Sequence, residues 1–224
     1  MIPGHHKLKK TPWLFTNVNN PTFFGIQDPD NPGRNRSGVT YYVSVKEQLA
    51  LFKEIMGGDL TTIGLIFDAT AKSRKAELGE FRAAALALGI TAEIALINKA
   101  EELPAAVGKL LNKKVNAVVA TSSGKIYSNL DLISDICTEN RIPIFSVNKK
   151  GVAEGAVCAF ASDYYSMVDE CLIPMAIQVL NGQDPGKMAV QTLKTPALYL
   201  NVTQAKRLGI TIPGNLKKKA SKKF

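Results

Sequence analysis

Between Thr61 and Val147 the chain repeats one alternation. A short apolar run rich in β-branched residues gives way to small polar residues. These lead into a segment whose apolar positions recur every three to four residues. The runs TIGLIF (62–67), AEIALI (92–97), VNAVVA (115–120) and IPIFSV (142–147) predict strands, and AVCAFA (156–161) predicts a fifth. The intervening stretches 73–89, 99–114 and 128–141 carry apolar stripes opposite charged faces, so they predict amphipathic helices, the first closed by Gly89. Strands that are apolar on both faces and spaced by helices specify a parallel sheet covered on both sides. This is a doubly wound α/β lobe with a Rossmann-like plan.

The flanks follow a different plan. PWLFTNV (12–18) predicts a buried strand, and a loop rich in Pro, Gly and Asn follows it. VTYYV (39–43) leads into an amphipathic helix, SVKEQLALFKEIMGG, with Ser44 and Glu47 at capping-box spacing. A long helix is expected over YYSMVDECLIPMAIQVLNG, kinked or divided by Pro174. Residues 188–213 predict two short strands and a small helix. These pieces hold too little core for a lobe of their own and read as visits of the chain to a second one. The expected division is a partial first lobe at 1–43 (strand and crossover loop), a second lobe at 44–160, segments returning to both lobes at 161–216, and a basic tail at 217–224.

Charge modifies this picture only at the ends. The 224-residue chain carries a formal +9. Five lysines fall in the last eight residues, and Lys7, Lys9 and Lys10 lie among the first ten; without those eight charges the +9 falls to +1. A nearly neutral body with basic ends reads as solvated tails rather than a nucleic-acid surface, so no nucleic-acid partner is expected. Cys137, Cys158 and Cys171 sit among apolar neighbours, form no CxxC pair and read as buried free thiols. His5 and His6 are the only histidines, and adjacent residues in an arm make a poor metal site. No apolar run reaches membrane-spanning length, and the first residues, MIPGHHKLKKTPW, lack the apolar core of a signal peptide.

The seam after the third strand, Thr121-Ser122-Ser123-Gly124-Lys125, invites a phosphate-binding reading that its spacing does not support. A P-loop needs glycine where Val119 stands and a hydroxyl where Ile126 stands. No GxGxxG follows any strand, no GxSxG elbow exists, and the body holds no histidine to act as a base. A Ser-Lys arrangement of Ser122 or Ser123 with Lys125 has only proximity in its favour. No reaction centre and no cofactor are therefore expected. What remains is a set of polar residues ending successive strands: Asp68, Thr70 and Ser73 after the first, Thr121, Ser122 and Ser123 after the third, and Ser146 with Asn148 after the fourth. In an open parallel sheet these ends form one rim, where ligands bind and where helix-start amides favour an anionic group. Each residue alone also fits the role of an N-cap.

Longer stretches resemble a known family. SGVTYYVSVKEQLALFKEIMGG, TIGLIFDATAKS, GAVCAFASDYYSM, VLNGQDPGKMAVQTLKTPALYLNVTQAKRLGITIP and LFTNVNNP are similar to the ABC-transporter substrate-binding proteins that include tryptophan/tyrosine-type binders, from Thr11 to about Leu216. The resemblance implies a type I periplasmic-binding-protein fold, with doubly wound parallel sheets in two lobes and a small-molecule ligand clamped between them. Closure is then read by a transporter permease at a periplasmic or cell-surface location. Carried onto this chain, the first lobe would offer Asn19, Asn20, Thr40 and Tyr41. The second would offer Asp68, Ser73, Thr121, Ser122 and Asn148, with Asp163 near the returning crossover.

The chain departs from the family pattern in its loops and in its length. Relatives carry an acid where Asn20 stands and in the loops matched by ATSSG and SVNKKG, which shifts the expected solute from a free amino acid toward a neutral or anionic molecule. Members also begin with an export signal and three first-lobe strands, whereas this chain starts near the fourth. The resemblance thus implies an incomplete first lobe, with an uncovered sheet edge and self-association as the consequence. The alternative from another class is the ligand-sensing domain of a LacI-type regulator, which shares the two-lobe plan. A DNA-reading helix-turn-helix should then precede the first lobe, and none is visible.

Overall fold

In the computed structural model of the chain, residues 11–224 are described. The calls on His5, His6, Lys7, Lys9 and Lys10 lie outside them. The described chain opens with β1 (Trp13–Val18) and β2 (Arg36–Thr40), then α1 (Val45–Ile55), β3 (Thr62–Asp68), α2 (Arg74–Ala87) and β4 (Thr91–Ile97). Next come α3 (Leu103–Asn112), β5 (Ala117–Ala120), α4 (Gly124–Tyr127), α5 (Leu130–Glu139), β6 (Ile144–Ser146), α6 (Lys149–Ala153) and β7 (Cys158–Ala161). The remainder holds α7 (Tyr164–Met167), α8 (Ile173–Leu180), β8 (Gln191–Thr192), β9 (Ala197–Leu200), α9 (Val202–Arg207), α10 (Gly214–Lys219) and β10 (Lys222–Lys223). The chain divides into two compact units. One takes the residues up to Tyr42 with Ser162–Pro196, and the other takes Val43–Ala161 with Ala197–Phe224.

The larger unit is the α/β layer structure expected from the alternation. Its seven-stranded sheet has the order β10-β9-β7-β6-β5-β3-β4. Period-two alternation decides which helix each strand residue meets. Ile63, Leu65 and Phe67 of β3 and Ala117 and Val119 of β5 pack in one layer with Leu49 and Phe52 of α1 and with Phe81 and Ala85 of α2. Ile66, Val118 and Ala120 point the other way, toward Leu103, Val107 and Leu110 of α3 and Ile133 and Cys137 of α5. The Phe52 and Phe145 rings stack with centroids 4.4 Å apart. Gly89 follows α2 with φ +67°, the left-handed turn that ends a helix without a Cβ penalty.

Three local expectations are corrected. All neighbours in this sheet run parallel except β7 and β9, which pair antiparallel from Cys158 opposite Leu200 to Ala161 opposite Ala197. Ser44 precedes α1 but its side chain makes no capping bond. The helix over 164–180 is divided just before Pro174, as expected, by a π-helical turn at Val168–Leu172, and Pro174 lies in the first turn of α8. The basic end is not a loose tail: Leu216 is buried, and Lys222 and Lys223 add a parallel edge strand opposite Tyr199 and Leu200. The apolar residues Leu216 and Phe224 flank the lysines and anchor them, a signal hidden by the charge around it.

The smaller unit carries a three-stranded parallel sheet in the order β1-β2-β8. Val39 of β2 packs with Met167, Cys171 and Leu193, while Phe15 and Val18 of β1 pack with Ile26. Arg36, almost wholly buried, donates from Nη2 to the Gly25 carbonyl at 2.8 Å, and Ser37 Oγ donates to the Met188 carbonyl at 2.7 Å. Among the described residues, no helix is long and apolar enough to cross a membrane.

Candidate functional site

The register of the larger sheet builds its polar rim. Ile66 of β3 lies opposite Ala120 of β5, so two residues further on Asp68 comes level with the Thr121–Lys125 turn. Asp68 ends β3 with its side chain turned inward, and four donors converge on it. Its Oδ1 accepts from Thr70 N at 2.9 Å, Thr70 Oγ1 at 2.7 Å and Lys125 Nζ at 2.9 Å, and its Oδ2 accepts from Ser123 Oγ at 3.0 Å. Lys125 Nζ donates a second time, to Thr70 Oγ1 at 2.6 Å. Burial pushes the Asp68 carboxyl up, but the Thr70 hydroxyl, Lys125, the Thr70 amide and Ser123 together outweigh it and hold the group well below the usual carboxylate range. The Lys125 side chain is 34% exposed, so the ammonium meets both the carboxylate and solvent.

The other rim residues of this unit divide by what already engages them. Thr121 is buried, and its hydroxyl donates 2.7 Å to the Ile66 carbonyl, tying β5 to β3. Ser122 is exposed, and Ser73 is half-buried at the start of α2 with no capping bond from its side chain. Asn148 Oδ1 accepts from Gly151 N at 2.9 Å and its own amide donates to Ser146 Oγ at 3.2 Å, so it caps α6. Gly151 has to be glycine, since a Cβ there would meet Ser146 and Leu130. The helices after β5 and β6 are four and five residues long, so the helix-start attraction for anions expected there is weak.

The remaining named residues belong to the smaller unit. Asn20 caps a single 3-10 turn, accepting from Thr22 N and Thr22 Oγ1 at 2.9 and 2.7 Å, and Asn19 beside it is half-buried. Thr40 ends β2, buried, with Oγ1 accepting from Tyr42 N at 3.2 Å. Asp163 accepts from Ser166 N at 3.1 Å and so starts α7. The next residue, Tyr164, meets Tyr41 edge to face with ring centroids 5.8 Å apart. The fold therefore brings Tyr41 and the Asp163 turn together, leaving the Tyr164 ring about half exposed.

The contacts carried over from the family omitted Thr70, Ser123 and Lys125, which complete the Asp68 cluster, although Thr70 and Ser123 stood among the strand-end polar residues. Their signal was the adjacency of β3 and β5, which aligns FDAT with TSSGK. Among the described residues, no group of three His, Cys, Asp or Glu side chains gathers as a metal site.

The family model described as "ABC transporter substrate binding protein" matches residues 5–224. A tyrosine-binding protein of Clostridioides difficile is 25% identical over 206 residues, 92% of this chain. The chain spans only 59% of that curated relative's length. Among solved structures, a ligand-free, open substrate-binding protein with adhesive properties from Clostridium difficile is 26% identical with a TM-score of 0.82, over 96% of this chain and 71% of its own. The fold is shared by an ABC domain in complex with L-Trp from Streptococcus pneumonia. That match has a TM-score of 0.82 and 24% identity, over 96% of this chain and 72% of the other.

Proposed function

The chain belongs to the ABC transporter substrate-binding protein family, and from that premise we propose that it is the solute-binding component of an ABC importer. It works outside the cytoplasm, takes a small organic molecule (an amino acid or aromatic-acid-like compound) in the interlobe cleft that the family resemblance implies, and presents it to a permease. Family membership sets aside the regulator alternative. No catalysis is part of this reading.

The observation that carries the ligand class is the Lys125 ammonium at the rim, on a side chain 34% exposed. An ammonium has three donors, and Asp68 and Thr70 engage two of them. The third suits a carboxylate. Asp68 already accepts four hydrogen bonds, which makes it an orienting group for Lys125 and a poor host for a ligand amine. A carboxylate is therefore the required feature of the solute, and an α-amino group is secondary. The Tyr41 and Tyr164 rings support an aromatic body in the smaller unit. The tyrosine and tryptophan named for the relatives have both features.

A thermal-shift panel tests the reading. Tyrosine, tryptophan and their deaminated aromatic acids are expected to raise the melting temperature, and tyramine and tryptamine to leave it unchanged. A flat response from folded protein overturns solute binding of this class. A response to the amines alone overturns the carboxylate subsite.

A further inference from the structure

One corner of the larger unit is strongly basic. Lys206 and Arg207 end α9, Lys217, Lys218 and Lys219 end α10, and Lys222 and Lys223 form β10, all of them exposed. No Asp or Glu occurs after Asp184 in the sequence. Among the described residues, the two ion pairs are Lys125 with Asp68 and Lys150 with Glu154, so none of these seven cations is in one. The bordering acid is Glu54 of α1, whose carboxylate accepts from Asn215 Nδ2 at 3.0 Å.

The corner is also fixed in place. Ile212 and Leu216 are 3% and 5% exposed, Phe224 N donates to the Leu200 carbonyl at 2.8 Å, and Val202 N donates to the Phe224 carbonyl at 3.0 Å. Lys206 and Lys217 face the same open depression of about 660 Å³, with Ala205, Ile210 and Ile212 among its lining. Lysines on an edge strand serve to deter strand addition. That explains Lys222 and Lys223; a cation in the last turn also suits a helix end, but five exceed what two six-residue helices need.

We propose that this corner is a docking surface for an anionic phospholipid bilayer, holding the larger unit against the membrane at which the protein works. The inference does not depend on which solute is carried. Charge complementarity selects the partner: a bilayer face asks only for a cluster of cations within a Debye length, about 8 Å at physiological salt. Sequence-specific reading of a duplex from the major groove asks for a helix or β-ribbon that fills it, and α9 and α10 have six residues each, under two turns. Val202 and Ile210, both half-buried in the lining beside Lys206 and Lys217, give lipid a small apolar surface that phosphate alone does not need.

Co-sedimentation of the full chain with vesicles tests the proposal. Binding is expected to phosphatidylglycerol vesicles and not to phosphatidylcholine vesicles, and it should weaken as salt rises. The triple substitution Lys217→Gln, Lys218→Gln, Lys219→Gln should lower the affinity roughly a hundred-fold, at about five-fold per cation. The pair Lys206→Gln, Arg207→Gln should lower it as well, which keeps the test open should the triple variant fold poorly. Removing the same charge from α2 and α3, by Lys75→Gln, Lys109→Gln and Lys113→Gln, should change the affinity by no more than about two-fold. Absence of binding to phosphatidylglycerol, equal binding to phosphatidylcholine, an equal loss in the α2 and α3 variant, or binding to duplex DNA without binding to vesicles would each overturn it.

Discussion

Lys125 reaches from the turn after β5 to set its ammonium 2.9 Å from the Asp68 carboxylate that ends β3. The pair joins two neighbouring strands at the end of the sheet where the ligand is proposed to sit. Removing the charge by Asp68→Asn should cost about 1–2 kcal/mol, a charged hydrogen bond discounted for the solvent that reaches Lys125. The pH dependence has a definite sign. Because folding holds the Asp68 carboxyl below its ordinary value, its stabilisation is complete above about pH 4 and is lost as pH falls through the folded value. Urea denaturation should show a constant gap between wild type and Asp68→Asn from neutrality to about pH 5, shrinking below about pH 4. A gap that grows on acidification would contradict the arrangement.

Phe52 of α1 and Phe145 of β6 lie ring on ring, with planes 6° apart, and both are fully buried. Phe52→Ala should destabilise the larger unit by about 3–5 kcal/mol, since neither the helix nor the strand can move to fill the space. A change below about 1 kcal/mol in chemical denaturation would show that the layer is loosely packed there.

Gly151 supports the rim by its small size and by its amide, which donates to Asn148 Oδ1 at 2.9 Å. Gly151→Ala drives a methyl into Ser146 and Leu130 and disturbs the Asn148 cap. The expected loss is about 1–3 kcal/mol, measured as a lower melting temperature. Gly79, on the exposed face of α2 with open space around its Cβ position, is the matched control, and Gly79→Ala should be neutral or stabilising.

The three thiols should differ in reactivity by burial. Burial pushes the Cys137 thiol up to about 12 and Cys158 well above its ordinary value. Cys171 is raised by burial and by Glu170, against the pull of Lys194, and retains slight exposure. With a thiol-specific chromogenic reagent, the native protein should label first at Cys171, while Cys137 and Cys158 react only on unfolding. Rapid labelling of Cys158 in the folded protein would contradict its burial.

Much of this was legible in the chain, and the reasons are specific. Ile63, Leu65 and Phe67 alternate with Gly64 and Ile66, which marks a strand sandwiched between two helical layers. The helices 74–87 and 103–112 announced themselves by spacing, the first also by its closing Gly89. The direction of β9 was not legible, because ALYL reads the same whichever way it pairs. The α10 and β10 turn was masked by lysines, although Leu216 and Phe224 were its anchors. At the site, Asp68 and Thr121 were found as strand ends, but Thr121 proved to be engaged by the Ile66 carbonyl. The partnership of Asp68 with Ser123 and Lys125 depends on β3 and β5 being neighbours, a fact of strand order that local patterning does not carry. Asn148 was both a named contact and an N-cap, and in the structure its side-chain oxygen performs the capping.

Titration calorimetry of the purified chain with tyrosine, tryptophan and their deaminated acids, repeated on Lys125→Met, tests solute binding at this rim most directly. Saturable binding is expected in the wild type, weakened about ten-fold or more in Lys125→Met with the fold intact, as the loss of one charged hydrogen bond to a carboxylate requires. Equal affinity in both proteins, or no heat with any of these solutes, would contradict it.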